Sequence, residues 1–310
     1  MKILKKSPQQ PFLSPIQVVP TDTFKDAEIC VFDIETTSLH RDCDITQISA
    51  STIDGRSKFD KYILPTKNIT PSASKVTGLS VRDKTLFLHG KPVTSVDVEE
   101  GLSSFRNWLS SFGKSIILVG HNIKAFDLKH LFRHSNVYGV EFPFLSGFVD
   151  TLTVFKSLYP GQPSYSQEKL FRAMIGTDYD AHNSLSDVIA LTALLNTTIS
   201  DISGLCPYSF SYEWFKSFVL FIQKRDINLL SLNPLLTSKS ISKGMAEKTA
   251  SSGLCYRHLQ IAFRREGELG IKAILGEQFS GTVRVTKNAR IISSLLEYFK
   301  TVECPSNPTS

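Results

Sequence analysis

The stretch EICVFDIETTSL, residues 28–39, is an apolar run that ends in two carboxylates, Asp33 and Glu35. β-Branched and aromatic residues over this length predict a buried strand. Residues two apart on a strand face the same side, so both carboxylates can share one cation. Burying them unpaired would be costly, which favours a metal site. Acidic pairs with the same spacing occur elsewhere, so a solvated strand end remains an alternative.

The segments around this strand predict an α/β fold, a mixed β-sheet flanked by helices. Their apolar periodicities indicate strands at 45–53, 58–64 and 115–119, and helices at 97–112, 125–133, 149–158, 167–175 and 184–195. Farther along the chain, the pattern predicts helices at 214–222, 243–254, 256–265 and 289–299.

A chain of 310 residues exceeds one average domain. Residues 1–26 contain four prolines and predict a flexible leader. We expect the main domain at 27–200, a mainly helical accessory region at 201–303 and a frayed tail at 304–310.

Composition narrows the class of protein. The hydrophobic fraction of 41% supports a packed core, and the absence of a long apolar run predicts a soluble, intracellular protein without a membrane partner. Five scattered cysteines without a CxxC pair predict reduced thiols. Within the net charge of +6, residues 201–310 carry 14 basic and nine acidic side chains. That excess could attract a polyanion, or it could be an ordinary solvated surface.

Two more segments carry candidate site residues. LVGHNIKAFDLKHL at 118–131 puts Asp127 between a predicted strand and a helix, where it could simply complement the helix dipole. In DYDAHNSLSDV at 178–188, a cap at Asn183 or Ser184 would leave His182 and Asp187 facing one cleft. An imidazole there suits proton abstraction. Each segment alone has a structural explanation, but together they favour a two-metal site that cleaves phosphodiesters.

In order and spacing, DIETTSL, GHNIKAFD and HNSLSD resemble the motifs of the DnaQ-like DEDDh 3′-to-5′ exonucleases, which have a ribonuclease-H-like fold. Residues 27–200 are most similar, within that family, to the exonuclease-like domain of the long promyelocytic leukaemia protein isoform and its fish relatives. The resemblance implies a ribonuclease-H-like sheet, a nucleic acid partner with a free 3′ end and residence in the nucleus.

The resemblance also implies roles for individual residues. Asp33, Glu35 and Asp187 would hold one divalent ion, and Asp33 a second with Asp127 acting through water. Mg²⁺ or Mn²⁺ suits these oxygen ligands. The implied general base is His182, and the implied substrate-binding residues are Thr36, Thr37, Leu39 and, less directly, Asn122.

Four other positions bear on the same resemblance. Ser38 and Ser184 replace a glycine and an alanine that are usual in the family, and we expect only adjusted turn geometry. Gly78 and Asp150 match the family, and we expect structural roles for them, a tight turn and a helix start or network carboxylate.

The substrate and the accessory region leave alternatives open. DNA is the expected substrate and RNA the alternative, while a non-catalytic binding or interaction module is the competing class of protein. Basic residues of the accessory region could extend a nucleic-acid groove. Its apolar helical spacing instead favours packing on the main domain or self-association. The basic residues in question are Arg257, His258, Arg264, Arg265, Arg284, Lys287 and Arg290.

Overall fold

The computed structural model describes residues 13–279 and 281–303. The described residues divide into two compact units, one of residues 17–213 and one of residues 13–16 with the described residues after 213. Seven strands of the first unit form one sheet in the described residues, and they are β1 Glu28–Thr36, β2 Ile45–Thr52, β3 Lys58–Ile63, β7 Ser95–Val96, β8 Ile116–Gly120, β9 Leu145–Asp150 and β10 Ser209–Ser211. Their order in the sheet is β10-β9-β8-β1-β2-β3-β7.

Strand directions bring several strand ends to one edge of this sheet. β1 is antiparallel to β2, and β2 is antiparallel to β3, so β1 and β3 run the same way. β8 is parallel to β1, and β9 is parallel to β8. The carboxyl ends of β1, β3, β8 and β9 therefore meet at the same edge, which positions the residues that follow them.

Helices cover both faces of the sheet. They are α1 Thr21–Asp26, α2 Pro71–Thr77, α3 Val98–Ser110, α4 Asp127–Tyr138, α5 Thr151–Leu158, α6 Gln167–Ile175 and α7 Ser184–Thr198. Val31 of β1 belongs to the core cluster that includes Val188 and Leu191 of α7. On the opposite face, Phe32 stacks on Phe105 of α3 with ring centroids 6.4 Å apart. Burial on both faces explains the continuous apolar run of β1. The predicted mixed sheet flanked by helices is confirmed.

A small second sheet lies in the sequence between β3 and β7. Its strands are β4 Leu79–Arg82, β5 Thr85–Leu88 and β6 Lys91–Pro92, in that order and antiparallel. Helix α2 leads into it and ends at Gly78, whose φ of 72° is the left-handed conformation that glycine tolerates. A side chain there would overlap the ring of His89. The tight turn expected at Gly78 is thus present.

Two predicted boundaries differ from the structure. Within the predicted leader, Thr21–Asp26 is helical, and Val19 and Phe24 are buried in the core of the first unit. At the other end, a 3-10 helix at Ile202–Tyr208 and the strand β10 continue that unit to residue 213, because β10 pairs with β9. Residues 1–12 of the leader and the predicted tail at 304–310 lie outside the described residues.

The predicted helix at 149–158 is wrong at its start. Residues up to Asp150 belong to β9, and α5 begins at Thr151. Asp150 is both the last residue of the strand and the cap of the helix, accepting a hydrogen bond from the Leu152 N–H. No turn residues separate the two elements, so the apolar run reads as one.

The C-terminal unit is mainly helical, as predicted. Its helices are α8 Tyr212–Ser231, which begins just before the unit boundary, α9 Asn233–Thr237, α10 Lys243–Ser251, α11 Tyr256–Gly276 and α12 Ala289–Glu303. A short hairpin pairs β11 Gln278–Phe279 with β12 Thr282–Val283. Leu235, Ile271, Leu295 and Phe299 are among the buried residues of a separate core. The apolar spacing of these helices therefore reflects packing within the unit.

The helices of the described residues differ in length and in apolar content. No single helix among them is both long and apolar enough to cross a membrane, and one bent pair, Ser184–Thr198 with Ile202–Tyr208, passes by length and composition alone.

Candidate active site

Three of the predicted ligands meet at the carboxyl end of β1. Oxygen atoms of Asp33, Glu35 and Asp187 all lie within 4.8 Å of one another, and each residue is half-buried. Asp33 and Glu35 share one face of the strand, opposite Ser49 and Gln47 of β2. Asp187 lies in the first turn of α7. The structure thus brings together the first and last sequence motifs, in which Asp33 and Asp187 are 154 residues apart.

Hydrogen bonds from Ser184 fix the start of α7 against β1. Its hydroxyl donates to the carbonyl oxygen of Asp33 at 2.7 Å, and its N–H donates to Gln47 Oε1 at 3.2 Å. Asn183 caps the helix by accepting from the Ser186 N–H. The serine that departs from the family pattern therefore links the helix bearing Asp187 to the strand bearing Asp33, a role that the sequence did not indicate.

Asp127 begins α4 and lies beside the cluster of three, not in it. It is buried, and its Oδ1 accepts a 3.4 Å hydrogen bond from the Ile34 N–H, between the two β1 carboxylates. Its charge acts on both Asp33 and Glu35. The fourth predicted carboxylate is therefore close enough to contribute to the same electrostatic site.

Burial and mutual repulsion disfavour ionisation of these four carboxyls. Burial, followed by the charges of Asp127, Glu35 and Asp187, holds the pKa of Asp33 well above its usual range. Burial and the neighbouring carboxylates raise the pKa of Glu35 to about 9. For Asp127, burial is the main cause of a pKa raised to about 7, and burial also raises the pKa of Asp187.

The donor set fits a hard divalent cation. No lysine or arginine pairs with the four carboxylates in the part of the chain that the structure describes. Buried acids without a counter-ion are costly, and Mg²⁺ or Mn²⁺ bound to oxygen ligands would relieve that cost. Asp33, Glu35 and Asp187 offer the oxygens that lie closest together.

Two residues that the sequence did not single out hold Asp187. Tyr179 donates its hydroxyl to Oδ1 at 2.6 Å, and Gln167 Nε2 reaches the same oxygen at 3.2 Å. Gln167 Nε2 also donates to the Asp187 carbonyl oxygen at 2.8 Å and to the Tyr179 hydroxyl at 3.0 Å. These partners lie eight and 20 residues before Asp187. No spacing rule predicts such contacts, because they depend on how α6 packs against α7.

His182 lies on the loop that enters α7. Its N–H donates to Asp187 Oδ2 at 2.8 Å, and its φ of 67° is unusual for a residue with a side chain. The imidazole is half-exposed, and Nε2 lies 3.7 Å from Glu168 Oε1. The backbone of this residue is thus tied to the carboxylate cluster, while its side chain lies at the solvent boundary beside Glu168.

Asn122 also has a left-handed backbone, with φ 62°, in the loop that precedes Asp127. Asp150 holds this loop, accepting from the N–H groups of Asn122 at 2.9 Å and Lys124 at 3.2 Å. Its cap on α5 is a third bond. Asp150 therefore has both structural roles expected of it, the helix start and the network carboxylate. The left-handed backbone of Asn122 is a strained conformation, and such conformations often occur at functional sites.

The predicted substrate-binding residues after β1 differ in exposure. Thr36 and Thr37 are buried, and their hydroxyls are engaged by Ser38 and Asp44 in holding the loop after β1. Leu39, by contrast, is 89% exposed at the tip of that loop. Of these three side chains, only that of Leu39 projects into solvent.

A family model described as "Exonuclease" matches residues 30–195, which contain all five predicted catalytic residues. The chain belongs to this exonuclease family. A second model, described as "PML, C-terminal domain", matches residues 228–302. The exonuclease domain is DnaQ-like, and it is followed in this chain by the helical C-terminal domain.

Individual relatives of the exonuclease domain share part of their length with this chain. DNA polymerase III PolC-type of Mycoplasma genitalium is 31% identical over 137 residues, which are 44% of this chain and 9% of the polymerase. An exonuclease I structure matches with a TM-score of 0.49 and 18% identity over 59% of this chain and 43% of that one. For E. coli exonuclease I in complex with a dT13 oligonucleotide, the TM-score is 0.46 with 18% identity, over 55% of this chain and 41% of that one. The chain thus spans less than half the length of these proteins.

Proposed function

We propose that this chain is a metal-dependent 3′-to-5′ exonuclease that hydrolyses phosphodiester bonds at DNA 3′ ends and releases nucleoside 5′-monophosphates. The observation that carries the proposal is the cluster of Asp33, Glu35 and Asp187, with oxygens within 4.8 Å of one another and no cationic partner among the described residues. A purely structural role would leave three mutually repelling carboxylates uncompensated.

Asp33, Glu35 and Asp187, with Asp127 beside them, would hold two Mg²⁺ or Mn²⁺ ions. When bound, such ions supply positive charge that offsets the charge developing on a reacting phosphodiester. The carboxylates fix the position of that charge. Because Tyr179 and Gln167 donate to Asp187 Oδ1, that oxygen is oriented before a cation or substrate arrives.

We assign His182 the role of general base, which takes a proton from the attacking water. Its backbone is bonded to Asp187, and its imidazole is open to solvent beside Glu168. The Glu168 carboxylate can stabilise the imidazolium that forms after proton transfer. Leu39, at the exposed tip of its loop, would pack against the terminal base, and Asn122 would lie near the scissile end.

The direct test is nucleotide release from oligonucleotides labelled at one end. We expect Mg²⁺-dependent release of mononucleotides from the 3′ end of single-stranded DNA, abolished by a chelator and by Asp33→Asn. Glu99→Gln, at an exposed acid in the first turn of α3, is the matched control and should retain activity. Release that survives chelation would contradict the metal role. No release from DNA or RNA would favour the non-catalytic alternative.

RNA is the second candidate substrate, because nothing in the site as described distinguishes a 2′-hydroxyl. Parallel assays with DNA and RNA of the same sequence measure the preference. We extend the proposal to residence in the nucleus, which is supported by the sequence resemblance and by the match of residues 228–302 to the PML C-terminal domain. Imaging of the tagged chain in cells tests it.

A further inference from the structure

A basic surface lies on the segment between α2 and β7, and the residue that caps α2 is hydrogen-bonded to the loop that follows Glu35. Residues 75–91 contain four basic side chains and one acidic one. Lys75 lies on α2, Arg82 on β4, Lys84 in the β4–β5 turn and Lys91 on β6, and all four are exposed. We call this set the basic hairpin. In the described residues no carboxylate forms an ion pair with any of them.

We propose that the basic hairpin binds the phosphodiester backbone of the nucleic acid whose 3′ end enters the carboxylate cluster. This inference rests on the proposed function and deepens it, because it adds a contact to the strand some nucleotides away from the bond that is cut. Unpaired, exposed cations are the usual ligands of a polyanionic backbone.

Two contacts anchor the segment that carries the hairpin at the edge of the site. Thr70, which caps α2, donates both its N–H and its hydroxyl to the Thr37 carbonyl oxygen, at 2.9 and 3.1 Å. Thr37 follows Glu35 by two residues. At the other side, the Tyr62 hydroxyl near the end of β3 accepts from Asn183, the neighbour of His182, at 3.1 Å. The chain between these anchors and β7 therefore leaves the sheet at the edge where the carboxylates lie.

The length of α2 suits a contact with the strand several nucleotides from the bond that is cut. Helix α2 has seven residues, so at about 1.5 Å per residue it carries the chain about 10 Å from Thr70 before β4 begins, and three of the four cations lie beyond that point. Consecutive phosphates of a duplex strand rise about 3.4 Å along the axis. For a strand stacked as in a duplex, the three cations beyond α2 would thus meet phosphates about three nucleotides from the 3′ end, a distance that a trinucleotide does not reach.

The positive charge of the basic hairpin contrasts with the carboxyl groups of the candidate active site. The site concentrates carboxyl groups, since oxygens of Asp33, Glu35 and Asp187 lie within 4.8 Å of one another and Asp127 lies beside them, so the site by itself does not attract a polyanion. Cations beside a cleft attract the strand and raise its local concentration. In the small sheet, the Arg82 guanidinium lies 5.6 Å from the centre of the Phe87 ring. That ring holds the cation in place and offers an apolar surface next to the sugar-phosphate chain.

The experiment measures binding of fluorescent oligonucleotides in a chelator, where hydrolysis is blocked, for the full chain and two variants. The first replaces Lys75, Arg82, Lys84 and Lys91 with glutamine. The control replaces three exposed cations of the same unit with glutamine, Lys25, Lys58 and Arg106. Thermal unfolding of all three proteins checks that each variant folds.

For a 20-nucleotide single strand, we expect the hairpin variant to bind about tenfold more weakly at moderate salt. Its plot of log affinity against log salt should be shallower by about two to three, near 0.7 per lost contact. The control should match the unmodified chain, and with a trinucleotide all three proteins should bind alike. DNA and RNA strands should respond equally, because the contact is to the backbone.

Wild-type affinity and salt slope in the folded hairpin variant would overturn the inference, and so would an equal loss in the control. The proposed function fails in a different way. If the chain binds with a steep salt slope but releases no nucleotide in Mg²⁺, it is not an exonuclease. If the chain releases nucleotides and its binding is unchanged by the hairpin substitutions, only this inference is refuted.

Discussion

Removing one hydroxyl, by Tyr179→Phe, tests whether the contacts around Asp187 prepare it to bind metal. The hydroxyl donates to Asp187 Oδ1 at 2.6 Å, and burial together with the charge of Asp187 raises the pKa of the phenol, so it stays a donor at all working pH values. The ring itself packs 5.0 Å from Phe171, a contact that phenylalanine can keep.

The size of the expected loss in metal affinity depends on the hydrogen bonds to Asp187 that remain after the substitution. A hydrogen bond to a charged group contributes about 1.5–3 kcal/mol. Gln167 still donates to the same oxygen at 3.2 Å after the substitution, so we expect the lower end, about 1.5 kcal/mol. That corresponds to about a tenfold loss in metal affinity, within the range known for residues that orient metal ligands.

The assay is Mn²⁺ binding by calorimetry, with the Mn²⁺ concentration for half-maximal nucleotide release as the second readout. Both should shift about tenfold in Tyr179→Phe, while the rate at saturating Mn²⁺ changes much less. The control, Tyr208→Phe, loses a comparable 3.1 Å bond to Ser157 and should bind Mn²⁺ normally. Unchanged Mn²⁺ affinity in a Tyr179→Phe protein that is merely less stable would refute the reasoning.

Three other perturbations have defined outcomes. Ser184→Ala removes the hydroxyl that donates to the Asp33 carbonyl oxygen, and it should lower the free energy of unfolding by about 1 kcal/mol in urea titrations. An unchanged free energy would show that this hydrogen bond contributes nothing to stability. In a chelator, the free energy of unfolding should fall as pH rises from about 4.5 to about 9, because the folded state holds the Glu35 proton more tightly than the unfolded chain does. Mg²⁺ should flatten this dependence, and Glu35→Gln should reduce it, leaving the part that comes from the other three carboxyls. A chelated protein that is stabilised by rising pH would contradict the sign. Gly78→Ala should destabilise more than Gly55→Ala, since both have φ near 72° but only the former meets another side chain; equal melting temperatures would argue against that contact.

The sequence predicted the elements whose local pattern matches their burial. β1 reads as a continuous apolar run because helices cover both of its faces, and α7 has a capping residue at Asn183 where the helix begins. β9 was missed because Asp150 serves the strand and the following helix at once. The β4–β5 turn was missed because Asp83 and Lys84 adopt positive φ without the glycine that usually marks such a turn.

Site residues, like strands and helices, could be predicted only where a local sequence pattern marks them. Carboxylates two apart on a strand, or in the first turn of a helix, can be inferred from the periodicity of one element. Partners supplied by a different element cannot be inferred in this way. Gln167 of α6 and Tyr179 of the loop after it reach Asp187 only once α6 and α7 have packed together, and the contact of Ser184 with Asp33 spans 151 residues. Exposure is also a tertiary property, so Leu39 and Thr37 looked alike in the motif although only the former is open to solvent.

The tie between Ser184 and Asp33 has a consequence for how the chain folds. The proposed cation ligands come from both sides of this contact, so the set is complete only after a loop of about 150 residues has closed, a step that is entropically costly and slow. Partly folded species in which α7 is undocked would therefore have little affinity for Mn²⁺. If the ion binds only the complete unit, as the proposal requires, millimolar Mn²⁺ should slow exchange of the deepest amide hydrogens in β1 as much as it raises the global free energy of unfolding.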